Sequence, residues 1–396
     1  MTRLLDLTRS LRRTGRIATG VDRVEHAYLD QFLADQTPVF AVMRTAFGYV
    51  LLDRDGMAAF QARLLGQADW GDADFLSRLP RGRTKTLSRA ETFVRSTAIA
   101  RGLPSHLRRM LTRHLPVGFG YFNVGHSNLT DRMLQAVRDA KGQIHALIHD
   151  VIPLEYPQFQ RPGTIQPFEA KLRRVSRLAD RVIYNSHDTQ KRSETQMQPW
   201  GRVPPSIVAH LGITAPIADA STLPAGLPPE PAYFVTVGTI EPRKNHAFLL
   251  DLWADMGDAA PPLLLCGTRG WNNDAVFERL DALPKDSPIK ELPGLSDPAL
   301  AALIKSSAGV LFPSLAEGYG LPPAEALQLG ARVLCNDLPA LREFLSNSPS
   351  FIPFSDKELW LQTIRRWEIN PPDAVPSTAF ESPTWAHHFK VVLTST

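Results

Sequence analysis

The feature that most constrains this chain is an alternation in its C-terminal half. Short apolar or β-branched runs (Tyr233 to Thr239, Leu263 to Gly267, Ile289 to Leu292, Gly309 to Pro313, Arg332 to Asn336) read as strands. Between them lie helix-like segments near Ala247 to Asp255, Asp274 to Leu283, Asp297 to Ser306, Pro323 to Leu329 and Ala340 to Leu345. Parallel strands need a crossover connection, usually a helix, so this alternation predicts βαβ units and a doubly wound parallel sheet. The N-terminal half repeats the pattern less regularly, with strands expected at Leu4 to Thr8, Val39 to Met43, Gly120 to Val124, Ile144 to His149 and Arg181 to Asn185. A helix is expected from about Val21 to Ala34, following Gly20.

With 396 residues, the chain exceeds one ordinary core and suits two domains of about 150 to 200 residues. Pro199, Pro204 and Pro205, then the stretch Pro216 to Pro231, mark a linker that also carries a strand, Ser206 to Leu211. The expected division is 1–200 for the first domain, with a boundary near Gly201, and 201–380 for the second. A Pro-rich stretch (Pro371, Pro372, Pro376, Pro383) then leads to a short helical tail within 381–396.

Hydrophobic residues at 43% and charged residues at 21% describe a globular chain rather than a disordered or fibrous one. No apolar run approaches the roughly 18 residues of a membrane span. The first ten residues, interrupted by Asp6 and Arg9, do not read as a signal peptide. Cys266 and Cys335 each end an apolar run, the setting of small buried hydrophobes, and the expected home is a reducing cytoplasm. The net charge of +4 is unevenly spread: from Arg78 to His114 ten basic residues (Arg78, Arg81, Arg83, Lys85, Arg89, Arg95, Arg101, Arg108, Arg109, Arg113) face the single acid Glu91. That segment reads either as a long solvated insertion or as a positive field. With only Phe93 for stacking, nucleic acid is not an expected partner.

The most informative stretch is FPSLAEGYGLPPAEALQLGA, Phe312 to Ala331: a strand end, a glycine-containing loop, then a helix from Pro322 or Pro323, where proline suits the first turn. Gly318 and Gly320 allow close backbone approach, and the N–H groups near Leu321 favour an anion such as a phosphate. Glu317 and Glu325 flank this site, and carboxylates accept from paired hydroxyls, as a sugar or a ribose presents. The plainer alternative makes Glu325 an N3 capping residue and Glu317 a solvated loop acid.

Upstream, VGTIEPRKNH (Val237 to His246) places Gly238, Arg243 and Lys244 where a strand meets a helix, at the same sheet edge; cations there can neutralise a diphosphate leaving group, though surface charges are the commoner use. In the N-terminal half, His149 and Asp150 close an apolar run and should emerge at a strand's C-terminal end. There a histidine can bind a sugar hydroxyl or relay a proton, or simply pair with its own loop. Gly15 and Gly20 are turn glycines or a loop facing a substrate phosphate. Neither half carries a G-x-G-x-x-G turn after its first strand, which argues against a hydride-transfer enzyme. No arrangement of histidines or carboxylates is read as a metal site.

Four stretches, TGVDRVEHAY (Thr19 to Tyr28), HDVIPLEYP (His149 to Pro157), VGTIEPRKN (Val237 to Asn245) and EGYGLPPAEAL (Glu317 to Leu327), together resemble glycosyltransferase family 4 over most of the chain, in particular its bacterial mannosyltransferase-like members. The last resembles the family's E-x7-E motif. The resemblance implies a GT-B fold, an α/β architecture of two facing Rossmann-like domains with the acceptor mainly on the first and a nucleotide-sugar donor mainly on the second. It implies that Glu317 contacts the transferred sugar and that His149 meets it from the other domain. Glu317 and Lys244 are both expected to be exposed to the cleft. Glu325 would hold the ribose, and Lys244 with Arg243 the diphosphate, supported by Gly238, Thr239, Gly318, Tyr319, Gly320 and Leu321. Gly20 and Asp150 stand as acceptor-side candidates. Where the family often has arginine after the strand glycine, this chain has Thr239, so the cationic grip rests on Arg243 and Lys244. The implied reaction is retaining transfer with no metal and no cofactor, GDP-mannose favoured as donor, to a glycan or lipid-linked acceptor. A lipid-linked acceptor would bring residues 78–114 to an anionic membrane surface at the inner face. The rivals are a related GT-B phosphorylase or epimerase and a non-catalytic subunit that keeps the fold. The tail near Trp385 is expected to cross back to the first domain.

Overall fold

A computed structural model describes residues 1–79, 82–229, 232–370 and 380–394. Arg81, Pro231, Pro371, Pro372 and Pro376 of the sequence reading lie outside the described residues.

The N-terminal sheet contains β1 (Arg3–Asp6), β2 (Val39–Thr45), β3 (Gly48–Leu52), β4 (Ala100–Gly102), β5 (Gly120–Asn123), β6 (Gln143–Ile148), β7 (Arg181–Tyr184) and β8 (Ser206–Val208). Their spatial order is β4-β3-β2-β1-β5-β6-β7-β8. The C-terminal sheet contains β9 (Phe234–Val237), β10 (Leu263–Cys266), β11 (Ile289–Glu291), β12 (Gly309–Phe312), β13 (Val333–Cys335) and β14 (Ser350–Phe351), in the order β11-β10-β9-β12-β13-β14. Every pairing in the second sheet is parallel. Its central strands are apolar along their whole length because helices cover both faces, as a parallel sheet requires.

Two features depart from the sequence reading. The first sheet is not wholly parallel: β3 runs antiparallel to both β2 and β4. The β2–β3 hairpin escaped the reading because Thr45 to Gly48 is too short a turn to break one apolar run visibly. The boundary also lies later than Gly201, since β8 pairs in parallel with β7 and belongs to the first sheet rather than to a linker.

Residues 78–114 are not a solvated insertion. The helix Lys85–Thr97 buries Ala90, Glu91, Val94 and Arg95, and β4 pairs in the sheet. Part of the basic excess is spent inside the domain: Arg83 lies 2.6 Å from Glu91 and Arg95 lies 2.6 Å from Asp74. Arg101, Arg108, Arg109 and Arg113 remain exposed. Among the described residues no helix is long and apolar enough to cross a membrane.

After the helix Lys357–Ile369 the chain returns to the first domain. Ile213 N–H donates to the Pro383 carbonyl at 2.9 Å, and Trp385 presses on Gly212, where any side chain would collide with it. The terminal helix Trp385–Thr394 then seats His388 and Phe389 on Tyr28, with the Phe389 ring 4.9 Å from the tyrosine ring and edge-on, and a 2.9 Å hydrogen bond between the Tyr28 hydroxyl and His388 Nε2. One apolar cluster therefore runs through both domains, joined by Leu211, Ile213, Phe389 and Val392.

Phe389→Ala should cost about 3–5 kcal/mol by leaving a cavity against Tyr28; a loss under about 1 kcal/mol in chemical denaturation would mean that the tail is not docked in solution. Burial also holds four histidines (His145, His149, His246, His388) at about 4, below their usual 6.5. The unfolded chain takes up these protons first, so stability is full above pH 6.5 and is lost as the pH falls toward 4. The loss should be on the order of 1 kcal/mol per histidine by about pH 5.5. Urea midpoints that stay level between about pH 7.5 and 5.5 would contradict it.

Candidate active site

Each sheet reverses direction of build once, at β1/β5 in the first and at β9/β12 in the second. In open α/β sheets the crevice at such a switch point, beyond the carboxyl ends of the strands, is where ligands bind. The residues picked out by sequence lie at these two edges, and the edges meet.

On the second domain, β9 ends at Val237, and the chain turns through Gly238 and Thr239 into a 3-10 turn, Pro242–Lys244. Asn245, left-handed at φ 56°, then starts the helix His246–Met256. The turn aims Arg243 and Lys244 at the loop after β12. There Glu317 Oε1 accepts from Lys244 Nζ at 2.7 Å and from Arg243 Nη1 at 2.8 Å, while Arg243 Nε lies 2.7 Å from Glu241. Lys244 Nζ also stands 4.3 Å above the Phe312 ring. Glu317 and Lys244 are 7% and 8% exposed, so the expectation that both stand open to the cleft is corrected: in this state they neutralise one another. Burial works to raise the Glu317 carboxyl, but Arg243 and Lys244 overcome it and hold it at about 2. Burial lowers the Lys244 ammonium below its usual value, against the pull of Glu317. Glu241 is shifted upward by burial, leaving Glu317 the firmer anion of the two.

The loop from Glu317 to Leu321 answers to packing as much as to any ligand. A Cβ on Gly318 would stand 2.4 Å from the His149 carbonyl oxygen, so glycine here lets the two domains touch. Gly320, at φ 109°, is the N-cap of the helix Leu321–Gln328, and a Cβ there would meet Leu341 at 2.3 Å. Tyr319 is turned inward: its hydroxyl donates to the Leu211 carbonyl and its ring stacks on Phe344 at 4.1 Å. Pro322 and Pro323 lack N–H groups, which leaves Leu321 and Ala324 as the amide donors of the first turn. The anion-binding capacity of this corner therefore rests mainly on the two cations. Glu325 lies in the second turn rather than at N3, which removes the capping alternative, and its side chain is 15% exposed.

On the first domain, His149 directly follows β6 and is buried. Its Nε2–H donates to the Val124 carbonyl at 2.7 Å, while His126, one strand over, donates from Nε2 to the Leu147 carbonyl at 2.8 Å. Each ring is thus pinned to the other strand's backbone, with ring centroids 4.9 Å apart. Burial keeps His149 at about 4, so at neutral pH it is uncharged with Nδ1 as a free acceptor. That suits it to a sugar hydroxyl and not to carrying a proton. Asp150 accepts from the Ile152 N–H at 3.1 Å, and burial raises its carboxyl against the pull of Arg243 and Arg192. Gly20 begins the helix Gly20–Ala34 and faces Leu321 across the cleft.

Several residues that sequence reasoning did not single out complete the corner. Arg192, on the helix His187–Met197, donates to the Glu317 carbonyl at 3.2 Å while paired with Glu155 and Asp188. Thr189 Oγ1 donates to the Gly318 carbonyl at 2.9 Å. Glu343 caps the same helix from the second domain, accepting from the N–H groups of His187 and Asp188 at 2.7 and 3.0 Å. The i, i+4 spacing of Asp188 and Arg192 was visible, but the contacts that bring them to this corner, with the Glu317 carbonyl and Glu343, lie on the other domain and left no local trace.

Residues 223–376 match the family described as Glycosyl transferases group 1. The serotype-specific mannosyltransferase WbdA of Escherichia coli is 30% identical over 242 residues, which is 54% of this chain and 29% of WbdA. The O-antigen chain mannosyltransferase RfbU of Salmonella typhimurium is 29% identical over 146 residues, covering 36% of this chain and 40% of that one. The chain thus spans well under half the length of these curated relatives. Among solved structures, Anabaena Alr3699/HepE in complex with UDP and glucose superposes with a TM-score of 0.61 at 15% identity, over 99% of this chain and 96% of that one. Sucrose-phosphate synthase from Thermosynechococcus elongatus does so with a TM-score of 0.60 at 16% identity, over 98% and 94%. The chain therefore has the GT-B fold from end to end, and its second domain carries the sequence match of the group 1 glycosyl transferases.

Proposed function

We propose that this chain is a retaining glycosyltransferase of the family 4 type that moves a hexose, with mannose favoured, from a nucleoside-diphosphate sugar to a glycan or lipid-linked acceptor in surface polysaccharide synthesis. The observation that carries the reading is the buried Glu317–Arg243–Lys244 group at the β9/β12 switch point, within the matched residues. The mannosyltransferases among the relatives support mannose as the sugar, and GDP-mannose is the donor favoured in this reading.

In this reading the donor diphosphate takes over the two cations, and Glu317, released from them, accepts from hydroxyls of the sugar. Glu325 accepts from the ribose. The bond between the anomeric carbon and the phosphate oxygen breaks through an oxocarbenium-like state, the acceptor oxygen bonds to that carbon, and its proton passes to the departing phosphate. Arg243 and Lys244 stabilise the charge that grows on the leaving group. His149, neutral, orients the sugar through Nδ1, with Asp150 beside it at the acceptor side. Exposed Arg101, Arg108, Arg109 and Arg113 offer an anionic bilayer a basic face, which a lipid-linked acceptor would use.

The test is calorimetric binding of GDP and UDP, followed by transfer from GDP-mannose to a mannose-terminated acceptor, with product linkage read by NMR. Glu317→Gln should lower transfer by about a hundredfold or more while nucleotide binding persists, as loss of a contact made to the reacting sugar does. Lys244→Ala should weaken nucleotide binding as well, and should cost about 3–5 kcal/mol of stability because it strips a partner from a buried carboxylate. Transfer by Glu317→Gln at the wild-type rate would remove Glu317 from the reaction, and an inverted linkage would refute retention.

A further inference from the structure

The carboxylate assigned to the donor ribose is already held, and from the opposite domain. Arg23 projects from the first turns of the helix Gly20–Ala34, and its two terminal nitrogens reach two different acids of the second domain: Nη1 lies 2.5 Å from Glu325 Oε1 and Nη2 lies 3.1 Å from Asp297 Oδ1. The turn that launches it is braced. Asp22 accepts from the Thr19 N–H and hydroxyl, both at 2.7 Å, and is itself gripped by Arg9 at 2.6 Å and Arg13 at 2.7 Å. Gly20 meets Leu321 one residue-pair away, so the starts of the two helices abut.

We propose that Arg23 is a positioning residue of the donor site: it crosses the cleft to orient the Glu325 carboxylate and keep it charged for the ribose hydroxyls, so that full grip on the nucleotide requires the domains to be closed. This rests on the reading of Glu325 as the ribose acceptor. The physical case is that an ionised carboxylate accepts from two hydroxyls, whereas a protonated one spends an oxygen as a donor. Burial raises the Glu325 carboxyl and Asp297 adds to that, while Arg23 is the cation that opposes both. The two ion pairs are unequal. Asp297 is about half exposed, where such a pair contributes little, whereas Glu325 is 15% exposed and depends on its partner. Arginine's planar fork permits both contacts at once, which a lysine's single ammonium does not.

The experiment measures GDP and UDP affinity of the full chain by calorimetry at about pH 6 and pH 8.5, with donor KM and kcat alongside. Arg23→Gln should weaken nucleotide binding about tenfold at the lower pH and less at the higher, because a carboxyl freed of its cation protonates at higher pH. Donor KM should rise with kcat nearly unchanged, and Arg23→Lys should recover part of the loss at the lower pH. Asp297→Asn, which removes the exposed half of the bridge, should stay within about twofold of wild type. In a Glu325→Gln background, which removes the titration, adding Arg23→Gln should change affinity no further; should Arg23→Gln fail to fold, Arg23→Lys takes its place, and affinities equal to wild type at both pH values would overturn the proposal. Equal affinities for wild type and Arg23→Gln at both pH values would overturn the proposal, as would Asp297→Asn reproducing the full loss. Wild type binding neither nucleotide would bring down the ribose assignment of Glu325, and this inference with it.

Discussion

A carboxylate with almost no solvent, Glu317, faces a lysine, Lys244, that has almost none either and an arginine, Arg243, that is only partly exposed, and the rest of the site depends on that arrangement. Buried charge is tolerable only when matched, so Arg243 and Lys244 must sit where they do for the loop after β12 to close at all. The cluster with Glu241 is balanced as it stands: two acids and two bases. On the proposed reading, a ligand that brings phosphate negative charge would enter by displacing an internal partner rather than by filling an open positive patch, which would favour ligands carrying both an anion and hydroxyls. Diffuse anions offer nothing for the released Glu317 to hold.

The geometry follows from where the sheets reverse. Because β9 and β12 are neighbours, the loop carrying Arg243 and Lys244 and the loop carrying Glu317 leave the sheet side by side, although more than seventy residues separate them in the chain. In the first sheet the neighbours β5 and β6, beside the reversal at β1/β5, have ends that exchange histidine-to-carbonyl bonds and so fix His126 and His149 as a pair. The domains then meet through backbone as much as through side chains: Gly318 lies against the His149 carbonyl, and Thr189 and Arg192 donate to the carbonyls of Gly318 and Glu317.

The second domain was legible in sequence because its alternation is regular and its strands are fully apolar. Five of its six strands and the helices between them fall within a few residues of where periodicity put them, and only β14, two residues long, went unread. The first domain was harder: the β2–β3 hairpin merges into one apolar run, and β8 is three residues long among prolines. Motif reading singled out Glu317, Arg243, Lys244, Glu325 and His149, which the fold places at the facing edges of the two sheets, because glycines, prolines and charges at strand ends are local signals. Burial is not local. That Glu317 and Lys244 are hidden, that Tyr319 faces the core, and that Gly318 serves a contact between domains all depend on partners seventy or more residues away. Arg23, Thr189 and Arg192 escaped notice for the same reason, since on their own helices they resemble ordinary surface residues.

The returning tail has a mechanical consequence. The chain leaves the first domain after β8 and is back against it at Pro383, and these two passages run side by side, tied by the Ile213–Pro383 bond and by Trp385 lying over Gly212. A body held by a single strand can tumble about its tether; one held by two adjacent strands can only swing, like a door on paired pins. The axis of that swing lies beside the terminal helix, where Gln328, one turn along its helix from Glu325, donates to the Ile213 carbonyl and to Ser382. A small rotation there becomes a larger displacement at the mouth, and severing one passage would leave the two halves still attached while destroying the alignment of their travel.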